Sequence, residues 1–319
     1  MSYDILTNML SQDCALKFNE DVYFDNDRIS KILKEIKIKS SKPYLSYELV
    51  EAESNQTPLI GKIKYQDKKI VSVVLESINN VSRYRVDLSY DGTNYKGFQK
   101  QPHNTTIQDT LEKCLTHLCQ ETILIHPASR TDAHVHALHQ VIHFDTSSSI
   151  SKETLIKQLN YMLPRDIRAI SIENVPQVFH ARYDTIKKTY QYILTKETNP
   201  LKAHYTHYIQ DFNKEKALSI LNTVIGTHDF KNFSKSQENI NTTRTIQQVK
   251  IIEQPSKYII EITGDGFLRH MVRMLIGHLL YELTHQKNTF KEALNNPLKA
   301  HRKYLAPPQA LYLKTIAYK

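Results

Sequence analysis

From Tyr84 to Tyr90, in Tyr-Arg-Val-Asp-Leu-Ser-Tyr, large apolar side chains alternate with polar ones, the period of a half-buried strand, and Asp91-Gly92 supplies a turn that stops it. Thr106 then offers a hydroxyl cap to a run in which Ile107, Leu111, Leu115 and Leu118 recur at helical spacing. Residues 122–126 and 140–144 read as strands, 152–162 as a helix and 167–175 as a closing strand. The same order returns with a strand over 189–195 and a helix over 214–225 stopped by Gly226. A hairpin of 245–253 and 258–263 turning at Gln254-Pro255-Ser256-Lys257, a long helix over 267–283 and a last strand over 311–317 complete it. Two successive β-α-β-β-α-β units predict an α+β fold: two tandem ferredoxin-like halves sharing one mostly antiparallel sheet, with helices on one face and an open cleft on the other.

The halves are expected at 81–178 and 179–319. Residues 1–80 fit neither. They carry a charged amphipathic stretch over 27–38 and a hairpin pattern of 60–65 with 69–75 across Gln66-Asp67-Lys68, which suits a small accessory domain or a partly ordered extension.

Composition narrows the class. At 319 residues, 40% of them apolar and 24% charged, the chain has room for about two domains with a real core, which excludes a stapled mini-scaffold and wholesale disorder. Charge is divided unevenly: residues 1–80 hold 11 Lys and Arg against 12 Asp and Glu, so the remaining 31 basic and 21 acidic residues put all the excess positive charge on 81–319. Such a basic segment has an electrostatic reason to meet a polyanion, because each phosphate it neutralises releases condensed counterions. Cys14, Cys114 and Cys119 are odd in number and contain no C-x-x-C pair, so neither a disulfide framework nor a cysteine zinc site is expected, and a reducing compartment is. No stretch reaches the roughly 18 apolar residues of a membrane span. Acidic residues through the first thirty positions argue against a secretory or organellar leader.

The densest chemistry lies in Ser129-Arg130-Thr131-Asp132-Ala133-His134-Val135-His136-Ala137. An arginine, an aspartate and two histidines on one loop are costly to desolvate unless they serve each other or a ligand. His126, His134, His136 and His139 do not have the spacing of a zinc site, and no metal is expected.

This loop resembles the R-T-D-A-G-V-H-A signature of the TruA type of tRNA pseudouridine synthase. Tyr90-Asp91-Gly92-Thr93-Asn94-Tyr95-Lys96-Gly97-Phe98-Gln99 resembles the family's opening motif. Phe179-His180-Ala181-Arg182, Lys188-Thr189-Tyr190-Gln191-Tyr192, Arg244-Thr245-Ile246 and Met271-Val272-Arg273 follow in the family's order, so that the likeness covers about residues 83–319. It implies isomerisation of uridine to pseudouridine in the anticodon arm of tRNA by a cytoplasmic homodimer that uses neither metal nor cofactor. Asp132 matches the catalytic aspartate, Arg273 the arginine that pairs with it, and Tyr190 the tyrosine against the target base, whereas Tyr192 reads as core. Arg130, Thr131, His136, Arg182, Lys188, Arg244 and Arg269 are the expected substrate contacts. Two positions depart from the family: His134 and Ala310 stand where it has glycine, and a glycine allows a positive φ that histidine reaches only at a cost. A tRNA-binding protein or chaperone on the same scaffold is the alternative, and the joint presence of Asp132, Tyr190 and Arg273 favours the enzyme.

Overall fold

The computed structural model describes residues 81–235 and 241–318, together with the backbone of four strands nearer the amino terminus. Those four are β1 (Lys17–Phe18), β2 (Tyr44–Val50), β3 (Leu59–Tyr65) and β4 (Lys69–Leu75), hydrogen-bonded in the order β1-β4-β3-β2. β3 and β4 form the expected antiparallel hairpin, with Tyr65 opposite Lys69. The helix expected over 27–38 lies outside the described residues. These strands belong to one compact unit that also takes in Val175–Phe179. Within it the Arg83 guanidinium donates to the carbonyls of Gln177 and Phe179.

The second unit holds the tandem halves. β5 (Ser82–Tyr90) buries Tyr84, Val86, Leu88 and Tyr90, the alternation seen in the sequence. α1 (Ile107–Cys119) starts at Thr106, whose hydroxyl accepts from the Asp109 N–H, a cap worth about 1 kcal/mol. β6 (His126–Pro127), β7 (His136–Thr146), α2 (Lys152–Met162) and β8 (Ile167–Val175) complete the first half. The second runs through β9 (Thr185–Thr195), β10 (His207–Tyr208), α3 (Lys214–Asn222), β11 (Gly226–Asp229), β12 (Thr243–Gln254), β13 (Lys257–Gly264), α4 (Met271–His285), α5 (Thr289–Asn295) and β14 (Leu311–Tyr318). One sheet runs β11-β12-β13-β9-β14-β7-β5-β8, with β6 added to β7 and β10 to β9. β14 is therefore the seam, antiparallel to β9 and parallel to β7 through Tyr312 opposite His136 and Leu313 opposite Ala137.

Several elements differ from expectation for identifiable reasons. The strand expected over 122–126 shrinks to His126–Pro127, because the N–H groups of Ile123 and Ile125 are taken by side chains of α1, Thr116 Oγ1 and Glu112 Oε1. The helix expected from 267 begins only at Met271: His270 sits at φ 64°, a left-handed conformation that a helix cannot continue through. Arg269 therefore precedes the helix that carries Arg273. α3 ends at Asn222 rather than 225, and β10, β11 and α5 were not anticipated. Ala310, buried in a single 3-10 turn before β14, does not have a positive φ, so a methyl group is accommodated there.

Candidate active site

The loop from Ala128 to His136 leaves β6, carries Asp132 and enters β7. It has little regular structure of its own and is held from outside. The Phe98 N–H donates to the Thr131 carbonyl at 3.0 Å, and the His134 N–H donates to the Tyr95 carbonyl at 3.1 Å. Gly97 makes this approach possible: it lies at φ 100°, and a Cβ there would stand 2.9 Å from the Thr131 carbonyl oxygen. His134 adopts φ 64°, the conformation that the family's glycine would take without strain. The left-handed region costs an L-residue roughly 1–2 kcal/mol. Here that cost is offset by a 2.7 Å hydrogen bond from His134 Nδ1–H to the Thr93 carbonyl, which glycine cannot make.

Asp132 is placed against the start of α4. Its Oδ2 lies 3.6 Å from Arg273 Nη1 and its Oδ1 lies 3.5 Å from His270 Nε2; the aspartate side chain is 22% exposed and the arginine 11%. These distances leave the carboxylate paired in charge without a tight hydrogen bond to either neighbour. Arg273 is held from its other side, where Nε donates to the Ala306 carbonyl at 2.9 Å and the Ala306 N–H returns a bond to the Arg273 carbonyl. Gly277, one turn further along α4, lets that segment approach, since a Cβ there would collide with the Tyr304 carbonyl. Burial pulls both Arg273 and His270 below their ordinary pKa values, and the charge of Asp132 opposes the shift in each.

Tyr190, on β9, donates or accepts a 2.9 Å hydrogen bond with Ser129 Oγ and meets Phe267 edge-on at 5.0 Å between ring centres. Burial, reinforced by the Asp132 charge and opposed by the Ser129 bond, pushes its hydroxyl up to about 12, so the phenol stays protonated near neutral pH. Asp132, Arg273 and Tyr190 are thus brought to one place. Tyr192, fully buried and bonded to the Pro307 carbonyl, is in the core.

The expected substrate contacts divide. Arg130, Arg182 and Arg269 are exposed and Arg244 half-buried, all free to meet an anion at their outer faces. Thr131 and His136 are placed otherwise: both are buried, Thr131 with its hydroxyl 2.8 Å from that of Tyr90, and His136 with Nε2 donating to the His204 and Gln309 carbonyls. They brace the loop and the seam from inside, and Tyr190, 6% exposed, is as buried as Thr131. Lys188 is likewise only 8% exposed, its ammonium donating to the Ala128 carbonyl at 2.7 Å.

The family profile described as tRNA pseudouridine synthase matches residues 88–184 and 220–319. The chain belongs to that family. Among named relatives, the tRNA pseudouridine synthase A of Aster yellows witches'-broom phytoplasma is 38% identical over 240 residues, covering 74% of this chain and 98% of the relative. Those of Onion yellows phytoplasma and Latilactobacillus sakei are 39% and 37% identical, again over 74% of this chain and nearly the whole relative. This synthase is accordingly an isomerase of the TruA type. Sequence reasoning passed over His270 and Ser129, the neighbours of Asp132 and Tyr190. Ser129 opens the signature loop itself, and His270 stands three residues before Arg273, the only hints the sequence carries for either.

Proposed function

We propose that this synthase converts uridine to pseudouridine in the anticodon arm of tRNA, with Asp132 acting at the ribose. The reaction breaks the bond from C1′ to N1, turns the uracil and rejoins it through C5, whose proton is then lost while N1 gains one, so no atom is added overall. A carboxylate beside C1′ serves as nucleophile at that carbon or takes up the 2′ proton, and either role needs it ionised. The single observation that supports this reading is the meeting of Asp132, Arg273 and Tyr190 from a loop, a helix and a strand far apart in the sequence.

Arg273 balances the carboxylate's charge without a short hydrogen bond that would blunt it, leaving Oδ1 and Oδ2 able to turn toward a sugar. Tyr190 offers an aromatic wall on which a uracil can rotate, since stacking tolerates a change of base orientation. Arg130, Arg182, Arg244 and Arg269 grip backbone phosphates while the base leaves its stack. The family resemblance carries the reading further, to a homodimer working in the cytoplasm.

The deciding experiment is tritium release from C5-labelled uridine in unmodified tRNA by the purified protein, with nucleotide-resolution mapping of the product and its mass in solution measured by sedimentation. One tritium released per pseudouridine, in the anticodon arm, is the expected result. A protein that binds tRNA tightly but releases no tritium is a binder and not a synthase.

A further inference from the structure

His270 faces the Asp132 carboxylate, and an unusual turn of backbone puts it there. It sits at φ 64° immediately before α4, a left-handed conformation that an L-residue adopts only at a cost. Its surroundings are pinned: the Lys235 N–H donates to the Arg269 carbonyl at 3.0 Å, the Met271 N–H to the Leu268 carbonyl at 3.1 Å and the Met274 N–H to the His270 carbonyl at 2.9 Å. His134 offsets the cost of the same conformation through its bond to Thr93, whereas the His270 side chain gives α4 no capping bond. What that side chain does meet is Asp132, with Nε2 3.5 Å from Oδ1, while Arg273, one turn along, stands 3.6 Å from Oδ2. Strained residues of this kind persist where the surrounding structure holds them, and they cluster at functional sites.

We propose that His270 is a positioning residue: its neutral imidazole donates from Nε2 to Asp132 Oδ1 and fixes the rotation of the carboxylate toward the ribose. This rests on the synthase reading above and deepens it. Arg273 supplies charge and His270 supplies direction. With one donor at each oxygen the plane of the carboxylate is set, and each oxygen keeps a lone pair for the sugar. The contact is long in the free protein and shortens when the ribose arrives, as hydrogen bonds among catalytic groups commonly do. Neutrality matters, because a second full cation on the carboxylate would hold it as a tight ion pair and blunt it as nucleophile or base. Burial, together with Arg273 on α4, Arg269 on the segment before it and Lys235 beyond the 3-10 turn of Lys231–Phe233, holds His270 below its ordinary value of 6.5, against the opposing charge of Asp132.

The experiment compares wild type, His270→Gln and His270→Gly in steady-state tritium release from unmodified tRNA, with urea unfolding of each. Gln carries an N–H donor that does not titrate, and the protein already holds Gln120 and Gln286 at φ 56° and 52°. Gly adopts the conformation without strain and donates nothing from a side chain. His270→Gly should lower kcat by about ten- to a hundredfold with KM changed by less than about threefold, while its urea midpoint holds or rises. His270→Gln should recover most of the lost kcat. In the wild type kcat should decline as pH drops below 6.5, where the imidazole gains its proton, and in His270→Gln it should stay level there.

A His270→Gly protein with wild-type kcat overturns the positioning role, whether its urea midpoint falls, as for a side chain kept for packing, or its KM rises, as for a phosphate contact. Equal loss of kcat in the Gly and Gln variants overturns it too. So does a His270→Gln whose kcat declines in acid as steeply as the wild type's, since no imidazole is then titrating. A measurement independent of turnover is the NMR titration of the His270 ring, which should move to lower pH in Asp132→Asn, where the opposing charge is gone. A titration that stays in place overturns the contact. Should the wild type release no tritium, the synthase reading fails separately, and this titration alone decides whether His270 and Asp132 are paired.

Discussion

Asp132 and Arg273 lie 3.6 Å apart, close enough for charge to matter and too far for a bidentate grip. Replacing Asp132 with Asn should therefore lower tritium release by at least about a thousandfold, while tRNA affinity, dominated by phosphates, changes by no more than a few-fold. Turnover that survives the change would remove Asp132 from the reaction. Arg273→Lys keeps the charge but loses the bond from Nε to the Ala306 carbonyl, and Arg273→Met loses both, so activity should fall in the order wild type, Lys, Met. Equal loss in the two variants would assign the whole effect to the Ala306 bond. His134 makes a subtler case. His134→Gly removes backbone strain and the Thr93 bond together, so stability should stay within about 1 kcal/mol of wild type by urea unfolding. His134→Val, β-branched and without the bond, should lose about 2 kcal/mol or more. The sequence showed that a glycine was missing at this position. It did not show that a histidine could take over the conformation, because the compensating partner, Thr93, lies 41 residues earlier.

Elements whose apolar spacing is long and regular, such as β5, α1 and α2, were legible within a residue or two. Those decided by long-range partners were not, and α4 is the clearest instance: its apolar stripe extends back to Phe267, yet that ring turns away to meet Tyr190. The same helix holds His278, which is 1% exposed between Phe233 and Tyr304 and has no hydrogen-bond partner at either ring nitrogen. Burial, with a smaller contribution from His301, drives it from 6.5 down to about 4. Between those values the unfolded chain binds the extra proton and the folded chain does not. Stability should therefore fall as pH drops below about 6.5, by up to about 3 kcal/mol by pH 4. Urea midpoints at pH 7 and pH 5 measure this, and His278→Leu should flatten the difference. An equally steep acid loss in that variant would place the sensitivity elsewhere.

Residues 81–319, which carry the tandem halves, hold a net charge of +10 against −1 on residues 1–80, and the exposed arginines are where it would be used. Neutralising Arg130, Arg182 or Arg269 singly to Gln should weaken tRNA binding and lower the slope of log affinity against log salt by roughly one each. An unchanged slope would place that residue outside the interface. The likeness to the family begins at residue 88, so residues 81–319 made alone should retain turnover. Charge asymmetry and motif order were readable along the chain, but the sheet order was not, because pairing between distant strands leaves no local trace. Its central feature has a kinetic meaning. β14 fills the slot between β9 and β7, pairing Tyr312 with His136 across 176 residues and Leu313 with Tyr190 across 123. While the ribosome is still making the chain, both flanking strands emerge long before the one that joins them and must wait with their edges unpaired. The gap closes only when residues 311–318 arrive. Loops of that length close slowly, and open strand edges attract other chains meanwhile. The nascent protein therefore stays exposed to aggregation and open to chaperones until residues 311–318 have been translated.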